Sequence, residues 1–238
     1  MGRAFEVRKA AMAKTNAVKT KIYARFGKEI YMAARAGVPD PEMNQGLKQI
    51  IAKAKANQVT AEVIKRAIDK AKGGSDESYT SVRYEGFGPN NSNIIVECLT
   101  DNVNRTVSEV RTCFTKSKSK MGVSGSVAHM FDNVGILSFK YTDDGAMLDC
   151  LVEHDVDVQD IEVEEDIMTV TVAPTSLYAA KTAVESLIPE VEFDVLENTM
   201  IPQNMVSVEG EDKEMFDRLM SMLDNIDDVQ NVYHNVEL

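Results

Sequence analysis

Through the first 72 residues apolar side chains recur every three to four positions, and after the linker that follows them the pattern changes to β-rich runs. From Met1 to about Ala17, alanines interleave with basic residues and offer little bulk to bury. That stretch reads as a helix or arm that packs weakly and gains order from a partner. Lys19 to Ala36 reads as a firmer helix. Ile22, Phe26, Ile30 and Ala33 fall on one stripe, and Lys21, Arg25, Lys28 and Arg35 fall on another. Asp40-Pro41 predicts the start of the next helix, with Leu47, Ile50, Ile51 and Ala54 facing inward. Thr60 predicts a cap for a further helix that buries Val63, Ile64, Ala67, Ile68 and Ala71, and Gly73-Gly74-Ser75 reads as a linker.

After the linker, Tyr79 to Phe87 and Ser92 to Leu99 read as a hairpin turned at Gly88-Pro89-Asn90-Asn91. A helix over Asn102 to Ser117 and a third strand over Ser126 to Asp132 follow. From Gly135 the order is strand (Ile136 to Tyr141), helix (Ala146 to Glu153), two strands (Gln159 to Glu164 and Ile167 to Val172), helix (Ser176 to Leu187) and strand (Glu192 to Asn198). This βαββαβ order is that of a ferredoxin-like unit. A short strand at Met205 to Val208, a helix over Glu211 to Leu223 and a last strand at Val229 to Val236 are too few for a domain of their own. They complete the unit interrupted after the third strand. The expected fold is therefore α+β and multidomain: an N-terminal helical bundle (1–74), a discontinuous α/β domain (75–134 with 203–238) and an inserted βαββαβ domain (135–202).

Charge divides along the same line. Residues 1–72 hold 16 bases against six acids, a net +10, while the rest of the chain carries −22 within an overall −12. A locally basic surface attracts polyanions whatever the net charge of the molecule. The candidate contacts are Arg3, Arg8, Lys9, Lys14, Lys19, Lys21, Arg25, Lys28 and Arg35, with a solvated face or contact with the acidic remainder as the plainer account. Lys116, Lys118 and Lys120, interleaved with Ser117 and Ser119, form a second candidate that is equally a surface turn. Aromatic residues are sparse in the basic part, so phosphate contacts are expected rather than base stacking.

Other chemistry is weakly supported. Gly86-x-Gly88 has no third glycine and joins two strands, and no Walker lysine follows a glycine cluster. His129, His154 and His234 are scattered, as are Cys98, Cys113 and Cys150, so no metal, cofactor or nucleophile site is expected and the chain is not read as an enzyme. Arg105, near the start of its helix, is a further weak candidate for phosphate. Unpaired cysteines, no span of roughly 18 apolar residues and no signal-peptide core point to a cytoplasmic protein with no membrane partner and no small-molecule substrate.

Specific motifs sharpen this picture. Tyr84 to Pro89, Thr100-Asp101-Asn102-Val103-Asn104-Arg105-Thr106, Gly125-Ser126-Val127 with Met130-Phe131, and Val232-Tyr233-His234-Asn235 together resemble the YebC family, also called the translational activator of cytochrome c oxidase family. Lys21-Ile22-Tyr23-Ala24-Arg25-Phe26-Gly27 and Arg83-Tyr84-Glu85-Gly86-Phe87 are similar to its YeeN branch. The chain departs from the family's usual Gly-x-x-Trp-Ala-Asn start, reading Gly2-Arg3-Ala4-Phe5-Glu6-Val7 and holding no Trp. The resemblance implies a helical bundle and two α/β domains, one inserted in the other, and a non-enzymatic regulator of gene expression. It implies DNA as the partner, through transcription regulation, or alternatively ribosomal RNA within the ribosome, through translation regulation. An enzyme and a plain protein-interaction module are the remaining classes.

Overall fold

The computed structural model describes residues 3–73 and 78–237, with side chains described from residue 20 onward. The first helix, α1 (Arg3–Ala36), is continuous over 34 residues, so the expected arm and the firmer helix are one element. Helices α2 (Gln45–Ala56) and α3 (Ala61–Lys72) follow. The start of α2 lies later than Asp40-Pro41 predicts. Asp40 instead closes a separate turn, accepting the Glu42 amide on Oδ1 and the Met43 amide on its carbonyl. Asn44 is the cap: its Oδ1 accepts the Leu47 amide at 3.0 Å, while its Nδ2 donates to the carbonyls of Ala33 and Val38. Thr60 stands at the cap position of α3, but its hydroxyl makes no cap bond. Phe26, Ile30 and Ala34 of α1 pack with Leu47, Ile51 and Ala54 of α2 and Ile64, Ala67 and Ile68 of α3. The buried stripes are thus those set by helical spacing.

Strands β1 (Thr80–Phe87) and β2 (Asn93–Thr100) form an antiparallel hairpin in register from Thr80 opposite Thr100 to Phe87 opposite Asn93. Its connection is a 3-10 turn over Pro89–Asn91, with Asn90 and Asn91 both at positive φ, a conformation asparagine tolerates better than most residues. Helix α4 (Val103–Lys116) is capped by Asn102, whose side chain accepts the Arg105 amide. Phe114 of α4 lies so close to Gly86 that a Cβ there would sit 2.4 Å from the ring, so glycine is required at that point of the strand.

Of the expected strand over Ser126 to Asp132 only Phe131 and Asp132 are in strand, opening the next one; Ser126 and Val127 lie in a loop and Ala128–Met130 in a 3-10 turn. The buried Glu85 carboxylate accepts the amides of Gly125 and Val127 at 2.8 Å each, which holds this stretch as a loop. The strand beside β1 is instead the two-residue β3 (Lys120–Met121). Helix α7 (Gly210–Asp224) and strand β8 (Val229–His234) return late in the chain, and β8 pairs with β2. The first sheet therefore has the order β3-β1-β2-β8.

The second sheet starts with β4 (Phe131–Lys140), longer at its front than Ile136 to Tyr141 suggests. Helix α5 (Asp144–Glu153), β5 (Val158–Glu164), β6 (Ile167–Val172), α6 (Leu177–Leu187) and β7 (Phe193–Pro202) complete a βαββαβ order. The sheet order is β5-β6-β4-β7, antiparallel at every pairing, with the first and third strands of the unit in the centre. Leu137, Phe139, Met168, Val170 and Val172 bury against Met147 and Leu151 of α5 and Ala180, Ala183 and Val184 of α6. The architecture is α+β.

The chain divides into two compact units. One comprises Met1–Val127 with Ser207–Val236 and Leu238; the other comprises Ala128–Val206 with Glu237. The N-terminal helices and the first sheet thus share one compact unit, and the second sheet forms the other.

Candidate nucleic-acid interface

Lys21, Arg25 and Lys28 recur at i, i+4 and i+7 of α1 and so share one face of the helix. In the folded chain this face meets the acidic end of α7 and the turn before β8. Lys21 Nζ donates to Asp224 Oδ2 at 3.0 Å, to the Asp224 carbonyl at 2.9 Å and to Asn225 Oδ1 at 3.0 Å. Arg25 Nη2 donates to Asp224 Oδ1 at 2.9 Å. Lys28 Nζ donates to Asp228 Oδ1 at 2.8 Å and to the carbonyls of Asp227 and Leu99, and lies 5.6 Å from the Tyr79 ring centroid.

Asp228 is the centre of this cluster. Its Oδ2 accepts Arg105 Nη2 at 2.5 Å and the hydroxyls of Thr100 and Thr106 at 2.9 Å each. Burial pushes the Asp228 carboxyl up, but hydrogen bonds from Arg105, Lys28, Thr106 and Thr100 outweigh it and hold the group well below the usual carboxylate range. Burial likewise raises Asp224, and Lys21 and Arg25 more than reverse it, leaving this carboxyl lowered as well. Contact with acidic residues is therefore what the fold provides for these three cations.

The remaining candidates are dispersed. Arg35 Nη1 donates to the Tyr31 hydroxyl, and its guanidinium lies 5.9 Å from that ring. Arg3, Arg8, Lys9, Lys14 and Lys19 belong to α1, but their side chains lie outside the described residues. Lys116 ends α4, Lys118 at positive φ forms an ion pair with Glu211, and Lys120 lies in β3; all three are exposed. Arg105 is engaged by both Asp101 and Asp228.

One residue absent from the sequence-derived set joins them. Arg111 and Lys116, with Ser108, Thr112 and Thr115, line a shallow depression of about 410 Å³ on the outer face of α4. The three hydroxyls donate back to the carbonyls of Asn104, Ser108 and Arg111, so the two cations are the donors directed outward. The signal for Arg111 is its spacing: it falls outside the buried stripe of Thr106, Val110, Cys113 and Phe114 on the same helix. Beside this face, a cleft of about 900 Å³ runs between α1 and α4, with Ala24, Cys113, Met222 and Ile226 among its apolar lining.

The other reactive groups are engaged in the fold. Burial pushes the Cys98 thiol up to about 12 and raises that of Cys113, so both stay protonated at neutral pH. Cys150 donates to the Ala183 carbonyl within the α5–α6 packing, and His154 Nδ1 lies 2.8 Å from the Cys150 carbonyl. His234 packs edge-on against Phe216. Among the described residues no group of three or more His, Cys, Asp or Glu is placed to hold a metal ion, and no helix is long and apolar enough to cross a membrane.

Two family models match the chain in succession: the TACO1/YebC protein N-terminal domain over residues 3–74, and the TACO1/YebC second and third domain over residues 79–236. The chain belongs to the TACO1/YebC family. A probable transcriptional regulatory protein of Vibrio parahaemolyticus is 52% identical over 238 residues, covering 100% of both chains. Another, of Pseudoalteromonas atlantica, is 53% identical over 235 residues, covering 99% of this chain and 97% of the relative. The crystal structure of a conserved hypothetical protein from Aquifex aeolicus is similar with a TM-score of 0.77 and 32% identity, covering 94% of this chain and 93% of that one. The TACO1/YebC N-terminal model spans the whole basic segment of α1, and the model of the later domains contains Asp224 and Asp228, which pair with it.

Proposed function

We propose that this TACO1/YebC protein is a non-enzymatic, cytoplasmic, nucleic-acid-binding regulator of gene expression, with duplex DNA as its first partner and transcription as the process. The observation that carries the reading is the concentration of +10 net charge in the first 72 residues of a chain whose remainder is −22. The names of the relatives, probable transcriptional regulatory proteins, supply the process. The contact surface in this reading is the N-terminal part of α1 together with Arg111, Lys116 and Lys120.

One observation favours a second reading, ribosomal RNA. The α4 hydroxyls donate to their own helix, and the outward donors are lysine and arginine, which suit phosphate contacts rather than base readout. Phosphate contacts serve structured RNA as well as duplex DNA. Binding to mixed-sequence duplex DNA and co-sedimentation with ribosomes, each over a salt series, separate the two. Duplex binding that weakens with salt supports the first reading; ribosome co-sedimentation without duplex binding overturns it in favour of the second.

A further inference from the structure

Lys21 and Arg25 lie one helical turn apart on α1 and converge on a single carboxylate, with Lys21 at 3.0 Å from Asp224 Oδ2 and Arg25 at 2.9 Å from Oδ1. A phosphodiester also spreads one negative charge over two oxygens, and a lysine and arginine so placed suit it as well as they suit a carboxylate. The Asp224 side chain is 60% exposed and those of Lys21 and Arg25 are 30% and 27% exposed, so water reaches both pairs. Ion pairs of this kind hold weakly and exchange readily. The neighbouring pair differs in burial: Lys28 and Asp228 are 17% and 5% exposed, and the Asp228 carboxylate also accepts the hydroxyls of Thr100 and Thr106. The face thus has an exchangeable outer pair and a fixed inner one.

We infer that Lys21 and Arg25 form a seat for a backbone phosphate, which Asp224 fills from within the chain until a nucleic acid displaces it. The Lys28–Asp228 pair stays closed and keeps the helix in place while Asp224 returns to water. This rests on the nucleic-acid reading and adds to it the two cations that exchange partner. A polymer is favoured over a single anion because α1 carries further bases on the N-terminal side of the seat, Lys14 and Lys19 among them.

The test compares the full-length protein with Asp224→Asn and with Glu214→Gln, which neutralises an exposed carboxylate earlier on α7. The probes are a mixed-sequence DNA duplex and deproteinised ribosomal RNA, titrated over a salt series. Each cation that meets a phosphate steepens the dependence of log affinity on log salt by about 0.7 to 0.9. Asp224→Asn is expected to bind at least one probe roughly 3 to 10 times more tightly near 0.1 M salt, with the slope of the unmodified protein, because both cations meet phosphate in either complex. Glu214→Gln is expected to leave the affinity nearly unchanged, and adding Lys21→Gln and Arg25→Gln to Asp224→Asn is expected to remove the gain and flatten the slope by about 1 to 2.

If the unmodified protein binds a probe and Asp224→Asn binds it no more tightly than Glu214→Gln does, or if adding Lys21→Gln and Arg25→Gln leaves the slope unchanged, the seat is overturned while the nucleic-acid reading stands. If no form binds either probe, both fall. Loss of cooperative unfolding in Asp224→Asn also overturns the inference, because it makes the pair a structural bond rather than an exchangeable one.

Discussion

Lys28 and Asp228, 200 residues apart in the chain, meet at 2.8 Å in a site from which both side chains are largely withdrawn from water. The carboxylate also gathers Thr100 from the end of β2 and Thr106 and Arg105 from α4, so one charge ties the first helix to the first sheet. Removing one partner of such a pair leaves the other charge buried without compensation, at a cost of about 3 to 5 kcal/mol. Asp228→Ala should therefore lose about that much stability in a denaturant titration. Lys28→Met combined with Asp228→Ala should recover part of the loss, with a coupling of about 0.5 to 3 kcal/mol.

The same carboxylate predicts an acid limb of stability. Its folded pKa is held below the unfolded value of about 3.9, so its contribution is present above that value and is lost as pH falls toward the depressed folded one. Asp224, also lowered, adds in the same direction. Urea midpoints should fall from about pH 5 downward. The stability difference between the unmodified protein and Asp228→Ala should shrink over the same range.

Glu29 predicts the opposite sign. Burial raises its pKa, and nearby Glu97 adds to the rise, against lowering by Lys53 and Arg25. A group raised in the folded state contributes stability below its unfolded pKa of about 4.3 and loses it as pH rises through the folded value. At neutral pH the charged carboxylate therefore opposes folding. Glu29→Gln should raise the thermal midpoint at pH 7, and the gain should vanish near pH 4; a loss of stability at pH 7 would contradict this account.

Much of this architecture was legible in the chain because period carries burial. Phe26 and Ile30 on α1 and Leu47 and Ile51 on α2 each mark a buried face by spacing alone. The start of α2 was not, because Asp40-Pro41 carries the same local chemistry as a cap and only the tie from Asn44 back to Ala33 and Val38 decides between them. The continuation of the loop past Gly125, in place of a strand from Ser126, was hidden for a similar reason: it depends on Glu85, distant in sequence, accepting the amides of Gly125 and Val127. The basic stripe was plain, but its partners Asp224 and Asp228 lie some 200 residues away, where neither spacing nor composition can pair them. Arg111 needed the outer face of α4 to be seen as one surface.

The two basic clusters should respond differently to charge reversal. Lys28→Glu sets a carboxylate against Asp228 in a site with little water, so it should unfold or loosen the first unit before any binding is measured. Arg111→Glu, Lys116→Glu and Lys120→Glu replace exposed side chains outside the core, so the thermal midpoint should move little. Their effect belongs to binding. Each cation that contacts a phosphate contributes about 0.7 to 0.9 to the salt slope, so the triple variant should flatten that slope by about 2 to 3 if all three engage. Circular dichroism melts beside the salt titration separate the outcomes. Unchanged binding with an intact fold would remove the α4 face from the interface and leave α1 as its remaining candidate.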